Sequence, residues 1–392
     1  MIARSACPFN VRHAMVRMKG EKPVMKKMVV LLLALLLAAG SASASEILHV
    51  EAQDGVVLEG KLDLPEGKPN RLVVFINGSG PNTYDNTRQL GEDTFRYYDL
   101  FAQRLTAGGA AFFRWSARGC TPGDEPPLYT EIDEALYQTY LPENSITDVE
   151  AVVRALKADE RLADCPVYLL GWSEGTMIAP HVAARGNTPI DALVLCGYVN
   201  GTMMETLEWQ QTGGASMVFY RQYFDADQDG AVTQAEFKAD PYGLSSYLGG
   251  ARFDQIDLDG SGDITEADFA MMLASNWANL RDAIERKDDA WLAENYPVRL
   301  TGAWFEGHAA LTPNRDVLPE LSLPIYILHG DCDANVPVQG VYDIQASFEA
   351  LGKKNLSARV YADHDHDLNY AQALLSEELP DAFKDLFAIL LP

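Results

Sequence analysis

Ser173 lies in the sequence Gly171-Trp172-Ser173-Glu174-Gly175, directly after the apolar run at residues 167–170. A serine with glycines two positions before and after it is typical of a sharp turn from a strand into a helix, which holds the hydroxyl out above the sheet. The N–H of the next residue, Glu174, then points to where an oxyanion would form. The pattern therefore predicts a serine nucleophile for acyl transfer, with the Glu174 N–H as one oxyanion donor.

A serine nucleophile also needs a base, and an acid that orients the base. Two histidines, His364 and His366, follow the last strand-like run, and we favour His366 while keeping His364 as the alternative. The acid is expected just after the preceding run at residues 325–328, where Asp333 is favoured over Asp331. The predicted catalytic set is thus Ser173, Asp333 and His366, in that order along the chain.

The second oxyanion donor is expected in the segment Asn77-Gly78-Ser79-Gly80-Pro81, which follows the third strand-like run. Its glycines permit close backbone approach and unusual dihedral angles. The N–H of Ser79 is the predicted donor, and that of Gly80 is the alternative.

These segments resemble those of the α/β-hydrolase superfamily, whose order is serine, acid, histidine. The resemblance covers about residues 46–200 and 320–392 and is greatest to dienelactone-hydrolase-like and serine-aminopeptidase-like esterases and peptidases. The sequence departs from the family at Asn77, where a histidine usually precedes the glycine, and at Ser116-Ala117, where Asp-Lys usually precedes Arg118-Gly119. The resemblance implies an α/β-hydrolase fold, with a mostly parallel eight-stranded sheet flanked by helices.

The elements that must position these residues alternate between short β-type runs and helical stretches, which is typical of a parallel sheet covered by helices. A helix is expected near residues 148–157, and a single terminal helix over residues 371–391. The strands are predicted at residues 47–50, 56–64, 72–76, 110–115, 167–170, 192–196, 325–328 and 358–361. The core is therefore expected at residues 45–199 and 319–392, with residues 200–318 inserted between strands 6 and 7 as a helical cap.

The inserted segment contains two acidic loops of twelve residues, at 225–236 and 257–268. Both match the calcium-binding EF-hand loop, which places oxygen ligands at positions 1, 3, 5, 7, 9 and 12 and a glycine at position 6. The predicted ligands of the first loop are Asp225, Asp227, Asp229, the Ala231 carbonyl, Thr233 and Glu236. Those of the second are Asp257, Asp259, Ser261, the Asp263 carbonyl, Thr265 and Asp268.

The two loops differ at position 12, where the second has Asp268 in place of a glutamate. Because aspartate is shorter, the second site is expected to offer fewer ligands and to tolerate Mg²⁺ better. We expect Ca²⁺ to be structural, holding an acidic cap in one shape; a regulatory role is the alternative. No catalytic role is expected for the metal.

The first 44 residues predict export. Residues 25–44 combine a basic start, an apolar run too short to span a bilayer and an Ala-Ser-Ala cleavage site, so they read as a signal peptide. Residues 1–24 are interpreted as a spurious extension before the true start at Met25. A periplasmic or extracellular protein with no stable membrane insertion after cleavage is expected, and an uncleaved anchor is the alternative.

The net charge of −25 argues against nucleic acid as a partner, because an acidic surface repels phosphates. The sequence thus predicts an exported serine hydrolase that cleaves small acyl esters, or amides, through an acyl-enzyme. A serine peptidase of the same fold and a non-catalytic calcium-binding interaction protein are the alternatives. The oligomeric state stays open.

Overall fold

A computed structural model describes residues 44–245, 250–376 and 378–391. The predicted extension at residues 1–24 and all but the last residue of the predicted signal peptide lie outside the described residues. The main sheet has eight strands. These are β1 (Ala44–Glu51), β2 (Val57–Leu64), β3 (Arg71–Ile76), β4 (Ala110–Trp115), β5 (Val167–Trp172), β6 (Ala192–Cys196), β7 (Ile325–Gly330) and β8 (Leu356–Tyr361).

The strands lie in the order β1-β2-β4-β3-β5-β6-β7-β8. The strands β1 and β2 pair antiparallel, as do β2 and β4, whereas every other neighbouring pair in the sheet is parallel. The mostly parallel eight-stranded sheet predicted from the sequence is confirmed. In a parallel sheet the carboxyl ends of the strands share one edge, and ligands bind in the crevice outside that edge.

Both faces of the sheet are covered by apolar packing. Along β3, Leu72, Val74 and Ile76 belong to one buried cluster, while Val73 and Phe75 belong to another. This alternation follows from the two-residue period of a strand. Strands buried on both faces must be apolar throughout, which is why the central strands read as continuous hydrophobic runs.

Helices flank the sheet. They are α1 (Asp99–Ala107), α2 (Glu134–Tyr137), α3 (Pro142–Ala158), α4 (Gly175–Arg185), and, after β7, α12 (Gln339–Ala350), α13 (Tyr370–Leu375) and α14 (Asp381–Leu390). The helix predicted near residues 148–157 lies within the longer helix α3. The single terminal helix predicted over residues 371–391 is wrong. Ser376 is extended, with φ −128° and ψ 157°, and Pro380 stands just before α14. Proline lacks an N–H and disfavours a helical residue before it, so the chain makes two helices instead of one.

The segment between β6 and β7 is largely helical, and we call residues 200–318 the insertion. Its helices are α5 (Met203–Gln211), α6 (Gly214–Tyr223), α7 (Gln234–Ala239), α8 (Glu266–Arg286), α9 (Asp289–Asn295), α10 (Gly302–Ala310) and α11 (Asn314–Val317). Among the described residues, no helix is long and apolar enough to cross a membrane.

The described residues of the insertion form two hydrophobic clusters. One cluster, which includes Met217, Phe237 and Phe269, packs around the two acidic loops. The other includes Trp277 and Trp304 together with Met177 of α4, so it joins the insertion to the core. The helix α8 contributes Phe269 to the first cluster and Trp277 to the second, and it therefore connects the acidic loops to the core.

Candidate active site

The turn between β5 and α4 places Ser173 in a strained conformation. Its φ is +54°, a left-handed value that is uncommon for a residue other than glycine. A Cβ at Gly171 would overlap the carbonyl oxygen of Gly175, and a Cβ at Gly175 would overlap that of Ile76. The turn is therefore possible only because both flanking positions are glycine. The Ser173 N–H donates to the Cys196 carbonyl at 2.9 Å, which ties the turn to the end of β6.

The predicted acid and base meet at the same edge of the sheet. The Nδ1 of His366 lies 2.7 Å from Oδ2 of Asp333. The His366 ring packs against the end of β6, since a Cβ at Gly197 would lie 2.7 Å from its Cε1. The His366 carbonyl accepts a hydrogen bond from Nε1 of Trp172, the residue before Ser173, at 3.3 Å. The structure thus brings the loop after β8 that carries His366, the histidine loop, to the turn that holds Ser173.

The carboxylate of Asp333 is fully enclosed and hydrogen-bonded on both oxygens. Its Oδ1 accepts the N–H groups of Asn335 and Val336 at 2.7 and 2.8 Å. Burial acts to raise the pKa of Asp333, but the charge and hydrogen bond of His366 outweigh burial and hold the pKa below its usual value. Burial lowers the pKa of His366 while Asp333 raises it, and the net result is a pKa of about 9. Such a pair stabilises the protonated imidazole that forms when serine loses its proton.

A buried histidine, His329, supports Asp333 from β7. Its Nδ1 accepts the Tyr198 N–H at 3.0 Å, so its Nε2 carries the proton and donates to the Val336 carbonyl at 3.2 Å. Burial lowers the pKa of His329, which favours the neutral ring. The same Nε2 lies 3.5 Å from Oδ2 of Asp333. His329 therefore adds a polar neighbour to Asp333 without a second positive charge.

The alternative acid and base make other contacts. Asp331 accepts the Asp363 N–H at 2.7 Å, which holds the turn after β8. The Nδ1 of His364 bonds the Ala362 carbonyl at 2.7 Å. These local bonds give both residues a role in shaping the histidine loop, whereas Asp333 and His366 bond each other.

The predicted oxyanion loop lies directly against the serine. A Cβ at Gly78 would be 3.1 Å from the Ser173 Cβ and 3.7 Å from its Oγ. The side-chain amide of Asn82 donates to the Gly78 carbonyl at 2.9 Å. Because the C=O and N–H of a trans peptide point in opposite directions, the Ser79 N–H points away from Asn82. Asn77, at the family's usual histidine position, is held by a hydrogen bond from its Nδ2 to the Trp115 carbonyl at 3.0 Å.

Sequence reasoning missed the role of the Glu174 side chain. It is 2% exposed, and its carboxylate accepts hydrogen bonds from Tyr140 Oη at 2.7 Å, Trp304 Nε1 at 3.1 Å and His308 Nε2 at 2.9 Å. Trp304 and His308 lie one turn apart on α10 of the insertion. Their spacing on one helix face was visible in the sequence, but no local signal pairs them with a residue 130 positions earlier.

The insertion also contacts two further loops of the candidate site. Val298 packs on the oxyanion loop, since a Cβ at Gly80 would lie 3.0 Å from its Cγ1. The Nε2 of Gln210 donates to the Asn335 carbonyl, two residues after the predicted acid, at 2.6 Å. The insertion is thus attached to the serine turn, the oxyanion loop and the acid loop.

The two acidic loops have closely similar backbones. Gly230 and Gly262 have φ values of +94° and +95°, as a sharp bend at position 6 requires. In each loop the position 6 N–H donates to the aspartate at position 1, at 2.9 and 3.1 Å. Val232 and Ile264 pair in a short antiparallel ladder that joins the loops. The two loops therefore form one unit.

The carboxylates in each loop converge on a common point. Those of Asp225, Asp227 and Asp229 offer oxygens within 4.8 Å of one another, as do those of Asp257, Asp259 and Asp268. Glu236 is not in the first group: its carboxylate accepts the N–H groups of Ala226 and Thr233, both at 2.9 Å.

Two other predicted ligands, Ser261 and Thr265, make contacts within the second loop. The Ser261 hydroxyl donates to the Asp263 carbonyl at 2.9 Å, and the Thr265 hydroxyl lies 3.2 Å from Asp268. In each loop one oxygen, Oδ1 of Asp225 or of Asp257, is buried without a hydrogen-bond partner among the described residues. A buried unpartnered carboxylate oxygen at position 1 suits a cation ligand.

Comparison with known sequences decides the family. The profile of the alpha/beta hydrolase family matches residues 73–378, which is most of the chain. The chain belongs to the alpha/beta hydrolase family. The match runs from β3 through the serine turn to the histidine loop, so this alpha/beta hydrolase shares with its family the whole region that carries the predicted catalytic residues. A search of curated protein sequences found no significant match.

Several solved structures resemble this alpha/beta hydrolase. A thermostable carboxyl esterase from Bacillus coagulans is 15% identical with a TM-score of 0.51, over 89% of this chain and 98% of that one. The esterase Est1E from Butyrivibrio proteoclasticus is 16% identical with a TM-score of 0.47, over 88% and 98%. An acylaminoacyl peptidase from Pyrococcus horikoshii is 10% identical with a TM-score of 0.48, over 91% and 43%. At such identities the likeness concerns the fold.

Proposed function

We propose that this chain is a serine hydrolase that cleaves small acyl esters through an acyl-enzyme on Ser173. The observation that carries the proposal is the 2.7 Å contact between His366 and Asp333, beside the left-handed turn that holds Ser173. In this arrangement the Asp333 carboxylate keeps the proton on Nδ1 of His366, which leaves Nε2 free to accept a proton.

The proposed reaction has two halves. The Ser173 Oγ attacks the acyl carbonyl carbon while Nε2 of His366 takes the hydroxyl proton, and the carbonyl electrons move onto oxygen. The N–H groups of Glu174 and Ser79 stabilise that oxyanion. When it collapses, the leaving alcohol departs with the proton from His366. Water, activated by His366 in the same way, then releases the acid and restores the serine.

A fluorophosphonate probe tests the proposal, because it labels an activated serine covalently. Labelling of the wild-type protein that is lost in Ser173→Ala is expected, together with hydrolysis of p-nitrophenyl butyrate. Absence of labelling in wild type, or equal labelling of Ser173→Ala, would contradict the enzyme hypothesis and favour a non-catalytic calcium-binding protein. A series of acyl chain lengths, compared with aminoacyl amides, separates an esterase from a peptidase.

We further propose that each acidic loop binds one Ca²⁺ and that the insertion is a cap stabilised by these ions. The unpartnered buried oxygens of Asp225 and Asp257 support this, because an unsatisfied buried acceptor is costly unless a ligand completes it. When bound, the ion supplies positive charge that offsets repulsion among the converging carboxylates.

Export is a separate proposal that rests on residues 25–44, and a mature N-terminus near Ser45, read by N-terminal sequencing, tests it.

A further inference from the structure

The buried carboxylate of Glu174 has no part in the proton transfers described above, yet it lies one residue after the nucleophile. A buried charge is costly unless hydrogen bonds satisfy it. Glu174 has three such donors, at 2.7, 2.9 and 3.1 Å. They come from two separate parts of the chain, namely Tyr140 just before α3, and Trp304 with His308 on α10 of the insertion. The carboxylate is therefore the point where the insertion and the core meet at the serine turn.

The chemistry of the groups around Glu174 assigns the donors in this cluster. Burial, followed by the nearby charge of Glu174, raises the pKa of Tyr140 well above its usual value, so its hydroxyl keeps its proton. An indole N–H can only donate, and an ionised carboxylate can only accept. The ring of His308 is 1% exposed, and its Nδ1 has no hydrogen-bond partner in the described part of the chain. Its hydrogen bond to Glu174 is therefore the one that anchors the ring.

The backbone connects this cluster to the chemistry. Glu174 has helical dihedral angles, φ −50° and ψ −36°, directly after the left-handed Ser173. Its N–H belongs to the Ser173–Glu174 peptide, which is the donor that the proposed mechanism aims at the oxyanion. A side chain held on both oxygens fixes its own Cα, and with it the orientation of that peptide.

We propose that Glu174 is a positioning residue whose carboxylate, clamped by Tyr140, Trp304 and His308, sets the oxyanion-binding peptide and couples its orientation to the docking of the insertion. This inference rests on the proposed serine hydrolase function and deepens it. It predicts that loosening the clamp weakens stabilisation of the transition state more than binding of the substrate, because the substrate carbonyl carries little charge before attack.

The decisive variants are Tyr140→Phe and Trp304→Phe, which each remove one donor while keeping an aromatic ring. Tyr296→Phe and Trp277→Phe are the matched controls, since both residues belong to the same apolar cluster of the insertion. We expect kcat for p-nitrophenyl butyrate to fall about 10-fold in each clamp variant, with KM near the wild-type value. Affinity for phenylboronic acid, whose serine adduct mimics the tetrahedral intermediate, should fall in parallel.

The charge itself is tested by Glu174→Gln and Glu174→Ala. An amide of the same shape can still accept from Trp304 and His308 and donate to the Tyr140 hydroxyl, so Glu174→Gln should retain more activity than Glu174→Ala. A purely structural role is indicated instead if the clamp variants lower the melting temperature yet keep kcat and boronate affinity within about twofold of their controls. An increase in KM alone would likewise overturn the proposal.

Hydrogen exchange separates failure of this inference from failure of the proposed function. If the wild-type protein does not react with a fluorophosphonate, the proposed serine hydrolase function is wrong. The clamp still predicts that amide exchange at residues 174–178 and in α10 is faster in the Trp304→Phe variant than in the wild-type protein. The Trp277→Phe control should leave exchange at residues 174–178 unchanged. Equal exchange in the two variants would contradict the clamp, whatever the activity.

Discussion

Asp333 and His366 are 33 residues apart in the chain, and their side chains meet at 2.7 Å at the carboxyl edge of the sheet. The contact uses Nδ1 of the imidazole and one carboxylate oxygen, while backbone N–H groups hold the other oxygen. Asp333 therefore has a fixed orientation before any substrate arrives. Because this pair is preorganised, substitutions of Asp333 and His366 test the proposed mechanism most directly.

Replacing Asp333 with asparagine should reduce kcat/KM by about 10³–10⁴-fold, because an amide cannot hold His366 in the required tautomer or stabilise its charge. The matched variant is Asp331→Asn, which changes the neighbouring acid but keeps an oxygen able to accept the Asp363 N–H. Steady-state kinetics on p-nitrophenyl butyrate measures both. Equal small losses would show that neither aspartate is the catalytic acid.

The raised pKa of His366 predicts an alkaline dependence of activity. The neutral ring is the base, so kcat/KM should rise with pH through about 9, where His366 loses its proton. In Asp333→Asn the largest opposing charge is gone, so the midpoint of the remaining activity should move to lower pH. A pH–rate profile from 5 to 10 for the two proteins measures this shift, and identical midpoints would contradict the coupling.

The same pKa predicts how stability depends on pH. The folded pKa of about 9 lies above the usual value of 6.5, so protonated His366 stabilises the folded state. This contribution is fully present below pH 6.5 and is lost as the pH rises through about 9. The difference in free energy of unfolding between wild type and His366→Ala, from urea titrations, should therefore shrink over that interval. A constant difference would argue against the raised pKa.

Removing Ca²⁺ should destabilise the insertion. EDTA is expected to lower the melting temperature of the wild-type protein, because carboxylates that converge within each loop then repel one another. Asp225→Asn and Asp257→Asn should each weaken the response to added Ca²⁺, whereas Asp282→Asn, an exposed aspartate on α8 outside the loops, should not. Equal melting temperatures with and without Ca²⁺ would contradict structural coupling.

The buried Arg118 should be important for stability. Its guanidinium is 2% exposed and bonds both oxygens of Asp148, at 2.6 and 2.7 Å, and it also contacts Asp54. Replacing Arg118 with methionine leaves the buried Asp148 carboxylate unpaired and should lower the free energy of unfolding by about 3–5 kcal/mol. Arg161→Met, at an ion pair that is 45% exposed on the arginine side, should cost about 0–1 kcal/mol in the same urea titration. Similar losses for the two variants would contradict the burial of the ion pair between Arg118 and Asp148.

Much of the core could be predicted from sequence because its signals are local. Eight apolar runs of strand length correspond to the eight strands of the sheet, and the Asp54-Gly55 turn joins β1 to β2. The terminal helix was predicted too long because its apolar period continues across Pro380, where the backbone cannot. Hydrophobic periodicity indicates which face of a helix is buried. The break between α13 and α14 depends instead on the N–H that Pro380 lacks.

In the candidate site too, local sequence determines some features and tertiary packing determines others. The sequence by itself determined the turn at Ser173, because two glycines and a serine set the backbone there through sterics among near neighbours. The sequence favours His366 over His364 as the base, but only the tertiary structure decided that His366 is the histidine that contacts Asp333. Only the tertiary structure joined Glu174 to Trp304, 130 residues later. Contacts of that kind depend on how separate elements pack, and no local spacing encodes them.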